Sequence, residues 1–198
     1  VEYNVILNAP DVKMIYHDGT RFIATLTDKQ GNPIRDAAIE ITINGKTYTK
    51  TTDEKGVVSL GLSLDSGIYT VTVNFKGTAD YTPITRQAKV TIEPTVKGLD
   101  VVKMFRNNTQ YYAIFTDSQG NPLKNKDIQF NINGVFYTKT TNDKGIAMMG
   151  INLNPGKYVI TAINLVTGEQ SGNNITVKSL IVQNDLTKYY LNASRFQT

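Results

Sequence analysis

Residues 27–73, TDKQGNPIRDAAIEITINGKTYTKTTDEKGVVSLGLSLDSGIYTVTV, and residues 116–162, TDSQGNPLKNKDIQFNINGVFYTKTTNDKGIAMMGINLNPGKYVITA, align without a gap. The offset is 89 throughout, so Asp28 meets Asp117, Asn44-Gly45 meets Asn133-Gly134 and Tyr69 meets Tyr158. A period of this size is a duplicated domain, beyond the ~20–50 residues of a solenoid repeat.

Within each copy apolar and polar residues alternate. Ile39, Ile41 and Ile43 are separated by Glu40 and Thr42; Tyr69, Val71 and Val73 by Thr70 and Thr72. Period two, rich in β-branched and aromatic residues, predicts half-buried strands, and no stretch carries a helical stripe. Turn chemistry falls between the runs: Gly31-Asn32-Pro33 and Gly120-Asn121-Pro122, the type I′ dipeptides Asn44-Gly45 and Asn133-Gly134, and the glycine-closed turns at 53–56 and 142–145. The predicted strands of the first copy are 12–17, 21–28, 38–44, 46–51, 56–64, 68–75 and 85–93. Those of the second are 101–106, 109–117, 127–133, 135–141, 145–153, 157–164 and 173–180. About seven short strands per copy describe an all-β chain of two tandem immunoglobulin-like β-sandwiches.

The expected domains are 11–94 and 95–185, with 1–10 the end of a preceding repeat or a linker. The connection Glu93–Leu99 is short enough to hold the domains in an extended order. Lys188-Tyr189-Tyr190 through Arg195-Phe196 repeats Lys103-Met104-Phe105 through Gln110-Tyr111. Residues 186–198 therefore read as the first strands of a truncated third repeat, an edge that needs covering. The chain looks cut from a longer array.

The 198 residues suit two modest cores. There is no cysteine, hence no disulfide or thiolate chemistry. A net charge of +4, spread over both copies, is a solvated surface rather than a nucleic-acid footprint. No apolar run reaches the ~20 residues of a membrane span, and residues 1–10 lack a signal-peptide pattern.

D-x-x-G-N-P, then N-G, Y-T-x-T-T, D-x-x-G and L-x-x-G-x-Y together resemble the Ig-like repeats of cell-surface adhesin-like proteins, found in bacteria and abundant in methanogenic archaea. The pattern is also similar to prealbumin-like and Cna-B-like sandwiches. The resemblance covers nearly the whole chain and specifies turns and core tyrosines. It implies an extracellular stalk or adhesive segment, with no catalytic residue to carry over.

Candidate chemistry is sparse. The lone histidine, His17, sits in a turn without a second ligand. The turns starting at Asp28 and Asp53 offer one or two carboxylates each beside a lysine, too few oxygens for calcium, so no metal and no cofactor is expected. No G-x-S-x-G or phosphate-binding glycine loop is present, and the chain reads as non-enzymatic. Lys13, Lys103 and Lys188 recur at the start of each copy, as an isopeptide bond would need. Glu40 faces Gln129, however, and Asn74 and Asn164 are out of step, so exposed strand-edge lysines are expected. Asn107, Asn174 and Asn192 head glycosylation sequons, which mark surface loops. Tyr69 and Tyr158 occupy a tyrosine-corner position and read as core. Tyr111-Tyr112 and Tyr189-Tyr190 are adjacent pairs, so one ring of each faces outward, and these four are the candidate ligand contacts.

The expected function is a stalk or adhesive module, whose repetition gives avidity. Its partners are neighbouring repeats and a cell-surface glycan or protein, with no nucleic acid and no membrane insertion. Two alternatives stand beside it: a filament or pilus-type subunit that adds strand 186–198 to a neighbour, and an accessory sandwich of a secreted hydrolase.

Overall fold

The computed structural model describes residues 4–181. Among them are sixteen strands and no helix. Two compact units are present, the second opening at Val96.

The first sandwich runs β1 (Val5–Asn8), β2 (Val12–Ile15), β3 (Arg21–Asp28), β4 (Ala38–Ile43), β5 (Lys46–Thr51), β6 (Val57–Gly61), β7 (Gly67–Phe75) and β8 (Ile84–Glu93). One sheet has the order β1-β3-β6 and the other β2-β8-β7-β4-β5. The second sandwich repeats this plan with β9 (Val96–Gly98), β10 (Val101–Met104), β11 (Gln110–Phe115), β12 (Asp127–Ile132), β13 (Val135–Thr140), β14 (Ile146–Gly150), β15 (Gly156–Ile163) and β16 (Gln170–Lys178). Its sheets are β9-β11-β14 and β10-β16-β15-β12-β13. This is the immunoglobulin-like sandwich that the alternation predicts.

Each sandwich has eight strands rather than seven. Val5–Asn8, expected to lie outside the first domain, pairs antiparallel with β3 and buries Val5 and Leu7. Val96–Gly98, expected to be linker, pairs with β11 in the same way. Both segments are short, but every second residue faces a core that would otherwise be open to water. In both copies the chain then crosses to the other sheet, where β2 runs parallel to β8 and β10 parallel to β16.

The cores follow the alternation. Phe22, Leu26, Ile39, Ile41, Val71 and Val73 pack in the first. Tyr111, Phe115, Ile128, Phe130, Ile160 and Ala162 pack in the second. Turns recur with them. His17, Asp36 and Asn44 have positive φ, as do Arg106, Asn125 and Asn133 at the same places of the second copy. Gly56 and Gly145 are required by close approach: a Cβ would stand 2.3 Å from the Leu26 carbonyl oxygen and 2.4 Å from that of Phe115. Residues 186–198, Lys188, Tyr189, Tyr190 and Asn192 lie outside the described residues.

Candidate functional site

The tyrosine pair on β11 divides as strand geometry demands. Tyr111 is fully buried, which removes it from the candidate ligand contacts. Its ring meets Phe130 edge-on at 5.3 Å. Its hydroxyl donates to Asn173 Oδ1 at 2.8 Å, and Asn173 Nδ2 donates to Asp100 Oδ1 at 3.4 Å. Burial, with the Asp100 charge behind it, pushes the Tyr111 hydroxyl up to about 12. Tyr111 is a core residue with one satisfied polar end.

Tyr112 faces outward and is 45% exposed. It stands opposite Met148 on β14, and Ile114 stands opposite Ile146. Met148 and Ile114 are exposed as well, so the outer face of the β9-β11-β14 sheet carries an apolar stripe. A cleft of about 260 Å³ beside it is lined by Leu99, Val102, Thr109, Gln110 and Tyr112. In the first sandwich the same positions hold Ile23, Thr25, Ser59 and Val57 on β3 and β6, and Arg21 Nε donates to Ser59 Oγ at 2.6 Å. The second face carries a continuous apolar stripe, whereas in its duplicate Thr25 and Ser59 interrupt Ile23 and Val57.

Lys103 corrects the expectation of exposed edge lysines. It is 4% exposed, and its Nζ donates to the backbone carbonyls of Asn107, Thr109 and Ile151, the last at 2.7 Å. Lys13, by contrast, is a surface residue 3.8 Å from Glu93. The register explains the difference. Lys103 stands opposite Val177 as Met14 stands opposite Ile92, so the true counterpart of Lys103 is buried Met14. Lys103 thus points into the sandwich at a core position, with backbone oxygens replacing the water its ammonium loses.

The sequon asparagines take different settings. Asn107 is exposed in the β10–β11 turn, where its Oδ1 accepts the Thr109 N–H at 2.6 Å. Asn174 is exposed mid-strand on β16 and not in a loop; its backbone N–H and side-chain amide bond Asp100 at 2.8 and 3.2 Å. These donors hold the Asp100 carboxyl below its ordinary range.

The acidic turns spend their oxygens on themselves. Asp28 Oδ1 accepts the N–H groups of Gln30 and Asn32 while Oδ2 takes the Asn32 amide, and Asp53 Oδ1 accepts Lys55 and Val57 N–H. Asp117 and Asn142 repeat both turns. The Asn32 amide, with the turn's N–H groups, lowers the Asp28 carboxyl. Burial opposes ionisation of Asp18 and Asp117, but turn donors outweigh it and both are lowered. His17 stacks on Tyr16 at 4.0 Å. Glu40 is lowered by Lys76, its ion-pair partner at 2.5 Å, and then by Asn74. Tyr69 and Tyr158 are half-buried against their cores, with hydroxyls donating to the carbonyls of Asp65 and Asn154 four residues upstream.

A second opening lies at the β13 edge. It is a cleft of about 300 Å³ lined by Ile132, Tyr137, Lys139, Met149, Ile151 and Leu153. All six residues of β13 are exposed. Sequence reasoning missed this edge because it followed what the copies share, and β13 differs from β5 in two of six residues.

No family model matches the chain. In an alignment of 146 positions that covers 65% of this chain, it is 30% identical to the inverse autotransporter adhesin YeeJ of Escherichia coli (strain K12), and the match spans 6% of that protein. Among solved structures it is similar to the fibronectin(III)-like modules of Clostridium thermocellum CbhA, with TM-score 0.33 and 15% identity over 93% of this chain and 100% of that one. It is also similar to a Ca2+-stabilised adhesin with which an Antarctic bacterium binds ice, with TM-score 0.32 and 16% identity over 93% of this chain and 51% of that one. A third is Escherichia coli alpha-2-macroglobulin, with TM-score 0.48 and 12% identity over 88% of this chain and 16% of that one. The sandwich fold rests on the strand pairings themselves, and in sequence the chain is similar to a short stretch of an adhesin.

Proposed function

We propose that this chain is a non-catalytic segment of a cell-surface adhesin, with the first sandwich as a spacer and the second bearing the adhesive face. The divergence of the outward sheet faces carries this reading. The turns are duplicated almost residue for residue and the cores keep their burial pattern, whereas on the outward face Ile23, Thr25 and Ser59 give way to Tyr112, Ile114 and Met148. A module repeated only for reach has no need to expose an aromatic ring, a thioether and an isoleucine on one sheet. Apolar groups gathered on a solvent face mark interaction surfaces. The similarity to part of YeeJ supports the adhesin context.

The ligand class that suits the face is a glycan or a protein surface with a flat apolar side, stacked on Tyr112 with Gln110 and Thr109 at the margin of the cleft. Glycan-array and whole-cell binding by the two-domain protein test the reading. Tyr112→Ala and Met148→Ser are expected to abolish binding, and Ile23→Ala to leave it intact. Equal binding by all three variants would overturn it.

A further inference from the structure

β5 and β13 are equivalent edge strands of the two five-stranded sheets, and they differ in how far that edge is open to growth. β5 reads Lys46-Thr47-Tyr48-Thr49-Lys50-Thr51 and β13 reads Val135-Phe136-Tyr137-Thr138-Lys139-Thr140. Charged residues, lysine above all, are the ordinary protection of an edge against pairing with another chain. Lys46 Nζ also lies 5.0 Å from the Tyr48 ring centroid, so a cation of its own strand covers that ring. Val135 replaces Lys46 in the second copy, and Tyr137 is left 41% exposed beside the cleft with Lys139 as the strand's one cation.

Backbone geometry fixes which groups are on offer. Asn133 and Gly134, both at positive φ, close a two-residue hairpin, which makes Ile132 and Val135 a hydrogen-bonded pair. Alternation then directs the N–H and C=O groups of Val135, Tyr137 and Lys139 towards β12 and those of Phe136, Thr138 and Thr140 outward. Among the described residues β13 pairs with β12 alone.

We propose that β13 is a strand-pairing site for a second copy of this chain, joined antiparallel about a two-fold axis at Thr138. In that register Thr138 faces Thr138 and Phe136 faces Thr140, three narrow pairs in which the outward N–H and C=O groups satisfy one another. Side chains keep their faces across the junction, so one sheet continues into the next. Tyr137 of each copy then lies opposite Lys139 of the other on the cleft side, and the ammonium meets the ring that Val135 leaves uncovered. The same pairing by β5 would bring Lys50 of one copy against a Tyr48 already covered by Lys46. Like charges would meet there, and β5 is barred. A six-residue strand makes a weak junction, which suits a contact repeated between many-copy arrays. This inference is independent of the Tyr112 face, which lies on the other sheet.

The chain has no cysteine, so one introduced thiol reports the contact cleanly. Thr138→Cys is expected to give a covalent dimer with a short bismaleimide, and Thr49→Cys, the equivalent on β5, only monomer. Val135→Lys in the Thr138→Cys background should raise the concentration needed for crosslinking roughly tenfold, and sedimentation velocity without crosslinker should shift in parallel. Removing residues 182–198 should leave the dimer intact. Equal crosslinking at Thr49 and Thr138, indifference to Val135→Lys, or loss of the dimer on removing 182–198 would each overturn the proposal, the last by assigning the dimer contact to residues 182–198.

Discussion

One corner of the core is built twice from different parts. In the first sandwich it holds Ala9, Phe22 and Ala88; in the second the same three positions hold Gly98, Tyr111 and Asn173. The second set is a single exchange made in three places. A Cβ on Gly98 would lie 2.2 Å from the Tyr111 hydroxyl and 2.3 Å from Asn173 Oδ1, so the space that a methyl group fills in one copy is filled by a hydrogen bond in the other. At another core position, buried Met14 is answered by buried Lys103. The same backbone accepts an apolar or a polar solution provided that all partners change together, because buried polar groups are tolerated only when satisfied.

Lys103→Ala is the strongest way to break the comparison. It removes a buried stem and leaves the carbonyls of Asn107, Thr109 and Ile151 without their donor. We expect about 3 kcal/mol of lost stability in the second domain, read as a lowered second transition in calorimetry. Lys103→Met, which installs the first copy's residue, should cost about 1 kcal/mol because the stem volume is kept. A Met variant as damaged as the Ala variant would mean that the ammonium, not the packing, holds this end of the sandwich.

Gly98→Ala comes next. The clash with the hydroxyl and amide should cost about 2 kcal/mol, and Gly98→Ala in a Tyr111→Phe background should cost less than half of that. Phe22→Tyr tests the exchange from the other side. A hydroxyl placed among Ala9 and Ala88 has no designed partner and should cost about 1–2 kcal/mol. Adding Ala88→Asn and Ala9→Gly should recover most of it. Additive losses in this cycle would show that the three positions are uncoupled.

The smallest effect is in acid. Asp18, Asp28 and Glu40 in the first sandwich, and Asp100 and Asp117 in the second, are held below their ordinary values of 3.8 or, for Glu40, 4.5. A carboxyl lowered by folding contributes fully above its unfolded value, and that contribution is lost as the pH falls through the lowered folded value. Stability should therefore fall below about pH 4, and more for the first domain. Asn107 stands where Asp18 does and Gln129 where Glu40 does, so Asp18→Asn should shrink the fall in the first domain's melting temperature between pH 7 and pH 3.

The duplication made the central strands and hairpins legible, since Asn-Gly, Asp-x-x-Gly and the alternation act locally and appear twice. The parity of the Tyr111-Tyr112 pair is legible only once Tyr111 is set against Phe22; taken as a pair, both rings stay candidate contacts. Two things were not legible. Val5–Asn8 and Val96–Gly98 are too short for periodicity to speak, and only the open core of β3 and β11 makes them strands. Lys103 was aligned with Lys13 by residue type, whereas the parallel ladders set it against Met14. Val101 to Met104 has apolar residues on both faces, so alternation alone could not choose the inward one.

The parallel ladders at the start and end of each sandwich have a mechanical consequence. Val12 to Ile15 lies rung by rung against Val90 to Glu93, and Val101 to Met104 against Ile175 to Lys178. Tension that enters a domain at its first strands and leaves at its last pulls these neighbours lengthwise in opposite directions. The rungs then share the load and yield together, where an antiparallel pair pulled from one end would peel open bond by bond. Each sandwich carries its clasp at the point where a tether would tug.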